Sequence, residues 1–419
     1  MWRFLSDAGV TLASHAVSAI GNLAVQVFVA RNLSLDDYGK YSILQAVVSL
    51  VEAIFVARSG EVALYTLGRV WANDGEDFVW WRKLLAKNDF RLNILIYLLT
   101  ILLSWSASLL IKFDWKAMVL MALTIPLQIG YGVSKSVFVL AGHLKEQARL
   151  EMYMLFFFCI AAPVLTSIFG LIGLMFAIVA ERAAKTILAR RMSESLWPKL
   201  GQIRPYGLDR PPPSISLGAG NIHSVVRNTF LNAAQQGDII LVSIFRGEEA
   251  AGIYKVAKSI ANLPIRAVNP LWYALRPKIV LCIKQRKFRR LKSMLNISSL
   301  IVFLFGCFMG WPVYLLIQRL ILIMYGQKYE AAGGIALVLL VGTWVSGATF
   351  GWLSFACVMS SRKALGAIVY FLWCSGILIG GVFIGKNSGI EMALVVAVSM
   401  IVSSVFGWWC FAFRDVWEA

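Results

Sequence analysis

Five polar residues interrupt an apolar stretch of this 419-residue chain: Lys255, Lys258, Asn262, Arg266 and Asn269. They recur at intervals of three or four, which places them within about 60° on one face of a helix. A guanidinium is a planar fork of donors and an ammonium a point charge, so such a stripe suits a phosphate or another anion. A second set precedes it, with His223, Arg227 and Asp238 on one face and Asn228 and Gln235 on an adjoining strip. Near the amino terminus His15, Asn22 and Gln26 share a face, and so do Tyr41, Gln45, Ser49 and Glu52. Three histidines and six cysteines without CxxC spacing predict neither a metal site nor a disulfide framework, and the sequence calls for no cofactor.

What surrounds these residues gives them weight. The chain is 59% hydrophobic and 15% charged, with mean hydropathy +0.72, far from the usage of a soluble domain. Apolar runs recur from end to end, and about twelve are long enough to cross ~30 Å of hydrocarbon as helices. The predicted spans are 10–30, 41–66, 90–111, 117–141, 148–169, 171–190, 216–245, 253–280, 293–318, 332–359, 364–385 and 389–412. They lack the short alternation of barrel strands, so the expected class is an all-α integral membrane protein. The first run carries no cleavage signal and reads as a span.

The net charge of +18 follows from topology. If the amino terminus is cytoplasmic, most Lys and Arg fall in inside loops, including the run 284–292 (KQRKFRRLK), and both termini face the cytoplasm. Beside a membrane span that run reads as an anchor on anionic lipid, with no nucleic-acid partner expected. An ionisable group at mid-membrane costs roughly 2.5 kcal/mol or more, so Arg227 and Arg266, the deepest of the cations, are candidates for function. Lys135 lies nearer its cytoplasmic end, where snorkelling and a cavity role both fit. Glu181, Arg182 and Lys185 read as a charge cluster at an inner helix end.

The chain repeats itself. YGKYSILQAVVSL (38–50) returns as AGIYKVAKSIANL (251–263), and Gly39 and Gly252, Tyr41 and Tyr254, and Leu50 and Leu263 share one offset. Acidic residues precede both glycines, Asp36 and Asp37 in one copy and Glu248 and Glu249 in the other. Glycine turns join the fifth span to the sixth (169–173) and the eleventh to the twelfth (386–389). The expected organisation is a six-helix bundle at 1–191, a proline-rich cytoplasmic linker at 192–214, and a second bundle at 215–419. Parallel repeats of this kind support alternating access, with spans one, two, seven and eight lining a central polar cavity.

The stretches LAVQVFVARNLSLDDYGKYSILQA (23–46), FRGEEAAGIYKVA (245–257) and LILIMYGQKYEAA (320–332) resemble the signatures of Wzx-type polysaccharide flippases, within the superfamily of multidrug, oligosaccharide-lipid and polysaccharide exporters. The resemblance implies a multi-pass protein of the bacterial inner membrane that carries undecaprenyl-pyrophosphate-linked oligosaccharides for surface polysaccharide such as O-antigen, beside membrane lipids and polysaccharide polymerase machinery. Set against it, the polar residues take roles. Arg227, Lys258 and Arg266 would hold the pyrophosphate, and Asn262, Lys135, Asn22, Gln26 and Gln235 would line the sugar cavity. Glu52 and Asp238 would couple transport to H+ or Na+. The rival within the superfamily is a multidrug or cation antiporter built on the same two carboxylates. An enzyme is not expected, because no nucleophile and base pair or phosphate-binding glycine loop appears.

Overall fold

A computed structural model describes residues 2–52, 91, 94–102, 105, 115–140, 143–200, 219–265, 268, 275, 279, 282, 287–359 and 363–410. The chain is an all-α integral membrane protein. Helix α1 covers Trp2–Asn32, α2 residues 35–52, α3 Trp115–Ala122, α4 Thr124–Leu140 and α5 Leu144–Leu200. Beyond residue 218 come α6 (Ala219–Arg246), α7 (Glu248–Ala261), α8 (Phe288–Tyr325), α9 (Ala332–Met359), α10 (Lys363–Phe383) and α11 (Gly389–Trp408). Six stretches among the described residues are long and apolar enough to cross a membrane. The longest, Lys145–Leu196, holds two predicted spans, and the chain leaves helical geometry at Gly170, whose φ of 60° lies in the left-handed region that glycine tolerates. The predicted turn between spans five and six is therefore where the sequence places it.

Several boundaries differ from expectation for local reasons. The span predicted at 117–141 is two helices, broken by a turn at Leu123. Helix α2 begins several residues before the predicted start at 41, because Ser34 caps it: the Asp37 amide donates to Ser34 Oγ at 3.0 Å and the hydroxyl donates to Asp37 Oδ2 at 2.9 Å. Residues 192–200, expected in the linker, are helical, and 201–214 fall outside the described residues. Large apolar side chains point outward, as lipid demands, with Phe156 69% exposed, Phe308 70% and Phe383 73%.

The helices gather into two compact units, Met1–Asn32 with Val48–Val225, and Leu33–Val47 with Val226–Ala419. In the first, α1 and α4 pack on α5. In the second, α9 is central, with α7, α8 and α11 against it and α10 against α11. The short segment 33–47 belongs to the second unit, and there the three signature stretches meet. A Cβ on Gly39 would lie 1.9 Å from the carbonyl oxygen of Glu248, and one on Gly252 would lie 3.1 Å from the Gly39 nitrogen. The two repeated glycines thus let one helix start cross the other backbone to backbone. The Tyr38 ring meets Tyr329 edge-on at 5.9 Å, and Tyr329 meets Tyr325 at 5.9 Å, with all three side chains fully buried. Lys328 Nζ donates to the Leu33 carbonyl at 2.5 Å and completes the junction.

Candidate functional site: two buried ion pairs

In the second unit α6 and α7 form a helical hairpin around Gly247, whose φ of 85° carries the reversal. One face of α7 is sealed, including Ala251, Gly252, Tyr254, Ala257 and Ala261, while Lys255, Lys258 and Asn262 are half-buried along another strip. Lys258 turns to α6. Its ammonium lies 2.7 and 2.6 Å from the two oxygens of Asp238 and donates as well to the Gln235 carbonyl. Asp238 is fully buried and also accepts from Tyr254 Oη at 3.1 Å and from the Ile239 amide at 2.8 Å. Thr343 Oγ1 of α9 donates to the Ala261 carbonyl at 2.9 Å and fastens the end of α7, where the amide of Asn262 closes back on the Lys258 carbonyl.

Two residues that the sequence assigned to separate tasks, Lys258 to the anion and Asp238 to the coupling ion, are thus one ion pair. Arg227 is buried at 7% exposure about two turns into α6, and Gln235 is exposed on the same helix. Arg266 and Asn269 lie outside the described residues.

The first unit holds a different arrangement. Arg182 of α5 donates to Glu52 Oε1, with side chains 23% and 16% exposed. Close to it in sequence, Lys185 Nζ sits 4.5 Å above the Tyr131 ring. Tyr131 Oη donates to Glu151 at 2.5 Å, Gln147 Nε2 donates to the same oxygen at 3.1 Å, and Lys135 Nζ lies 3.9 Å from it. Lys135 is half exposed, so this pair is loose. Asn22 is exposed and bonds back to the Ser18 carbonyl at 2.7 Å. Gln26 buries its Oε1, which has no partner among the described residues.

Sequence reasoning singled out Glu52 and Lys135 but missed Tyr131, Glu151 and the part played by Arg182. Only the i,i+4 spacing of Gln147 and Glu151 hinted at a polar cluster there.

A third charged cluster lies outside the spans, at the junction of signatures. Lys40 Nζ is 2.5 Å from Asp36 and 3.7 Å from Glu248. Burial, and then Asp36 beside it, push the Glu248 carboxyl up to about 7, while the hydrogen bond from Lys40 holds Asp36 below its ordinary range.

No protein-family model and no curated protein matches the chain. Solved structures do. A mutant form of the Vibrio cholerae MATE transporter VcmN superposes with a TM-score of 0.66 at 14% identity, over 100% of both chains. An outward-facing multidrug resistance MATE transporter of the MOP superfamily gives 0.69 at 11% identity, over 96% of this chain and 92% of that one. A MOP superfamily transporter from Pyrococcus furiosus, described by the reverse polarity of its binding pocket, gives 0.68 at 12% identity and the same coverage. The chain has the fold of the MATE transporters of the MOP superfamily. At these identities the likeness concerns the fold.

Proposed function

We propose that this protein is a flippase that moves undecaprenyl-pyrophosphate-linked oligosaccharide across the bacterial inner membrane, by alternating access, for surface polysaccharide assembly. The observation that carries the reading is that Glu52 and Asp238 are each held by a built-in cation, Arg182 and Lys258. A cationic drug would have to displace a tethered cation from either carboxylate. An anionic head group instead meets the basic residues of the second half, Arg227 and Arg266, and reaches Lys258, the exposed partner of its pair, in exchange for Asp238. The MATE fold suits the alternative reading, a multidrug or cation antiporter, equally well, and the charge arrangement ranks it second.

In this reading the halves 1–191 and 215–419 are the rocking bundles, the termini lie in the cytoplasm, and 192–214 joins the bundles there. Asn22, Gln26, Lys135, Gln235 and Asn262 line the sugar path, while the prenyl tail stays in lipid. Coupling is to H+ or Na+ through Asp238 or Glu52, and the released unit passes to a polymerase. The protein carries cargo without chemistry and is not an enzyme. Deleting the gene tests this: the lipid-linked glycan should accumulate on the cytoplasmic leaflet and surface polysaccharide should fall. Unchanged glycan with increased sensitivity to cationic drugs would reverse the ranking.

A further inference from the structure

We propose that Asp238 is a tethered counter-anion which an anionic head group displaces from Lys258, and that the displaced carboxylate takes up a proton. The inference rests on the functional reading above and adds how cargo and coupling ion meet at one ion pair.

The geometry sets an incoming anion in competition with Asp238. An ammonium has three donors, and Lys258 Nζ already serves both oxygens of Asp238 and the Gln235 carbonyl. An incoming phosphate oxygen therefore gains Lys258 only as one of these acceptors gives way, and two of the three are the oxygens of Asp238. The two partners are unequally accessible: the Lys258 side chain is 18% exposed and that of Asp238 is 0%. The cation can be reached and the carboxylate cannot, so the exchange proceeds by the flexible lysine turning outward while the aspartate stays in place.

Among the described residues Asp238 then keeps two neutral donors, Tyr254 Oη and the Ile239 amide, and no cation. Among the described residues, Tyr254 and Lys258, both on α7, are the titratable groups in contact with it. A buried carboxylate without a counter-charge is costly, and taking up a proton from the aqueous phase removes the charge. The balance closes. Lys258 remains an ammonium throughout, one phosphate charge replaces the carboxylate charge, and one proton becomes the O–H of Asp238. The reverse exchange on release returns the proton.

The repeat argues against a merely structural pair. At the positions that match Asp238, Tyr254 and Lys258 the first copy has Val25, Tyr41 and Gln45. The tyrosine is kept and both charges are absent, so this helical pattern does not depend on an ion pair.

Isothermal titration of the purified full chain with farnesyl pyrophosphate, in two buffers of different ionisation enthalpy, reads affinity and proton count together. The wild type should take up about one proton per probe bound. Asp238→Asn should bind about tenfold tighter with no proton uptake, and Lys258→Gln should bind more weakly. Binding to the wild type without proton uptake, or uptake that persists in Asp238→Asn, overturns the exchange and leaves the functional reading standing. No binding to the wild type or to either variant overturns the functional reading, and the exchange with it. At about pH 8, where the probe's phosphates, with a last pKa of about 6, are already ionised, the wild-type proton count decides even if a variant fails to fold.

Discussion

The two halves bury a carboxylate in different ways. In the first unit Glu52 and Arg182 come from sequence positions far apart and are comparably exposed, at 16% and 23%. In the second, Asp238 and Lys258 come from adjacent helices of one hairpin, the acid sealed and the cation at 18%. A guanidinium grips a carboxylate in a fixed plane, whereas an ammonium on a four-carbon stem can swing between partners. On the exchange proposed above, the first pair is a brace and the second a switch. A duplicated framework has kept its helix starts, glycines and tyrosines while placing its charges anew in each copy.

That contrast can be broken most strongly at Lys258. Lys258→Met strands a sealed carboxylate and should lower unfolding stability by about 3–5 kcal/mol near neutral pH, while Arg182→Met, whose partner keeps some access to water, should cost less. Thermal unfolding in detergent compares them. Asp238→Asn combined with Lys258→Met should recover much of the loss, because no charge is then left unpaired.

The glycine junction comes next. Gly39→Ala drives a methyl into the Glu248 carbonyl at 1.9 Å and should cost about 3 kcal/mol, at the upper end for overpacking, whereas the nearest contacts of Gly252→Ala are at 3.1 Å. Equal unfolding midpoints for the two variants would contradict the crossing. In the first unit Tyr131→Phe removes the 2.5 Å bond to Glu151 and should cost about 1.5–3 kcal/mol, as for a hydrogen bond to a charged group, read from the same melts.

The smallest effect is a pH dependence. The Glu248 carboxyl is raised from 4.5 to about 7 by burial and by Asp36, so the folded junction holds this proton more tightly than the unfolded chain does. Its contribution is complete below about 4.5 and is lost as pH rises through about 7. Asp36 has the opposite sign, because its carboxyl is depressed, and acts only in stronger acid. The unfolding temperature should therefore fall between about pH 5 and about pH 7.5, and Glu248→Gln should flatten that slope.

Much of the fold was legible in the sequence. The predicted span 332–359 coincides with α9, 216–245 lies within three residues of α6, and the Gly170 turn falls where two apolar runs join. Hydropathy sees less where helices extend through polar turns, as in α8, which starts at Phe288 among basic residues instead of at 293. It also missed the break at Leu123, because both flanking helices are equally apolar.

The polar residues were legible as a set but not as pairs. Nothing in the sequence links Arg182 to Glu52. Asp238 and Lys258, however, lie at comparable distances on either side of Gly247, and an antiparallel hairpin brings such positions to one depth. Opposite charges placed in this way are a signal that separate treatment of each helix overlooks.

The most direct test of the account is transport by the full chain in proteoliposomes loaded with undecaprenyl-pyrophosphate-linked oligosaccharide, scored by access of an impermeant glycan-modifying reagent. Translocation should exceed that in protein-free vesicles, consume a proton gradient and lose that coupling in Asp238→Asn. Export of a cationic dye such as ethidium, with no movement of the lipid-linked glycan, would contradict it.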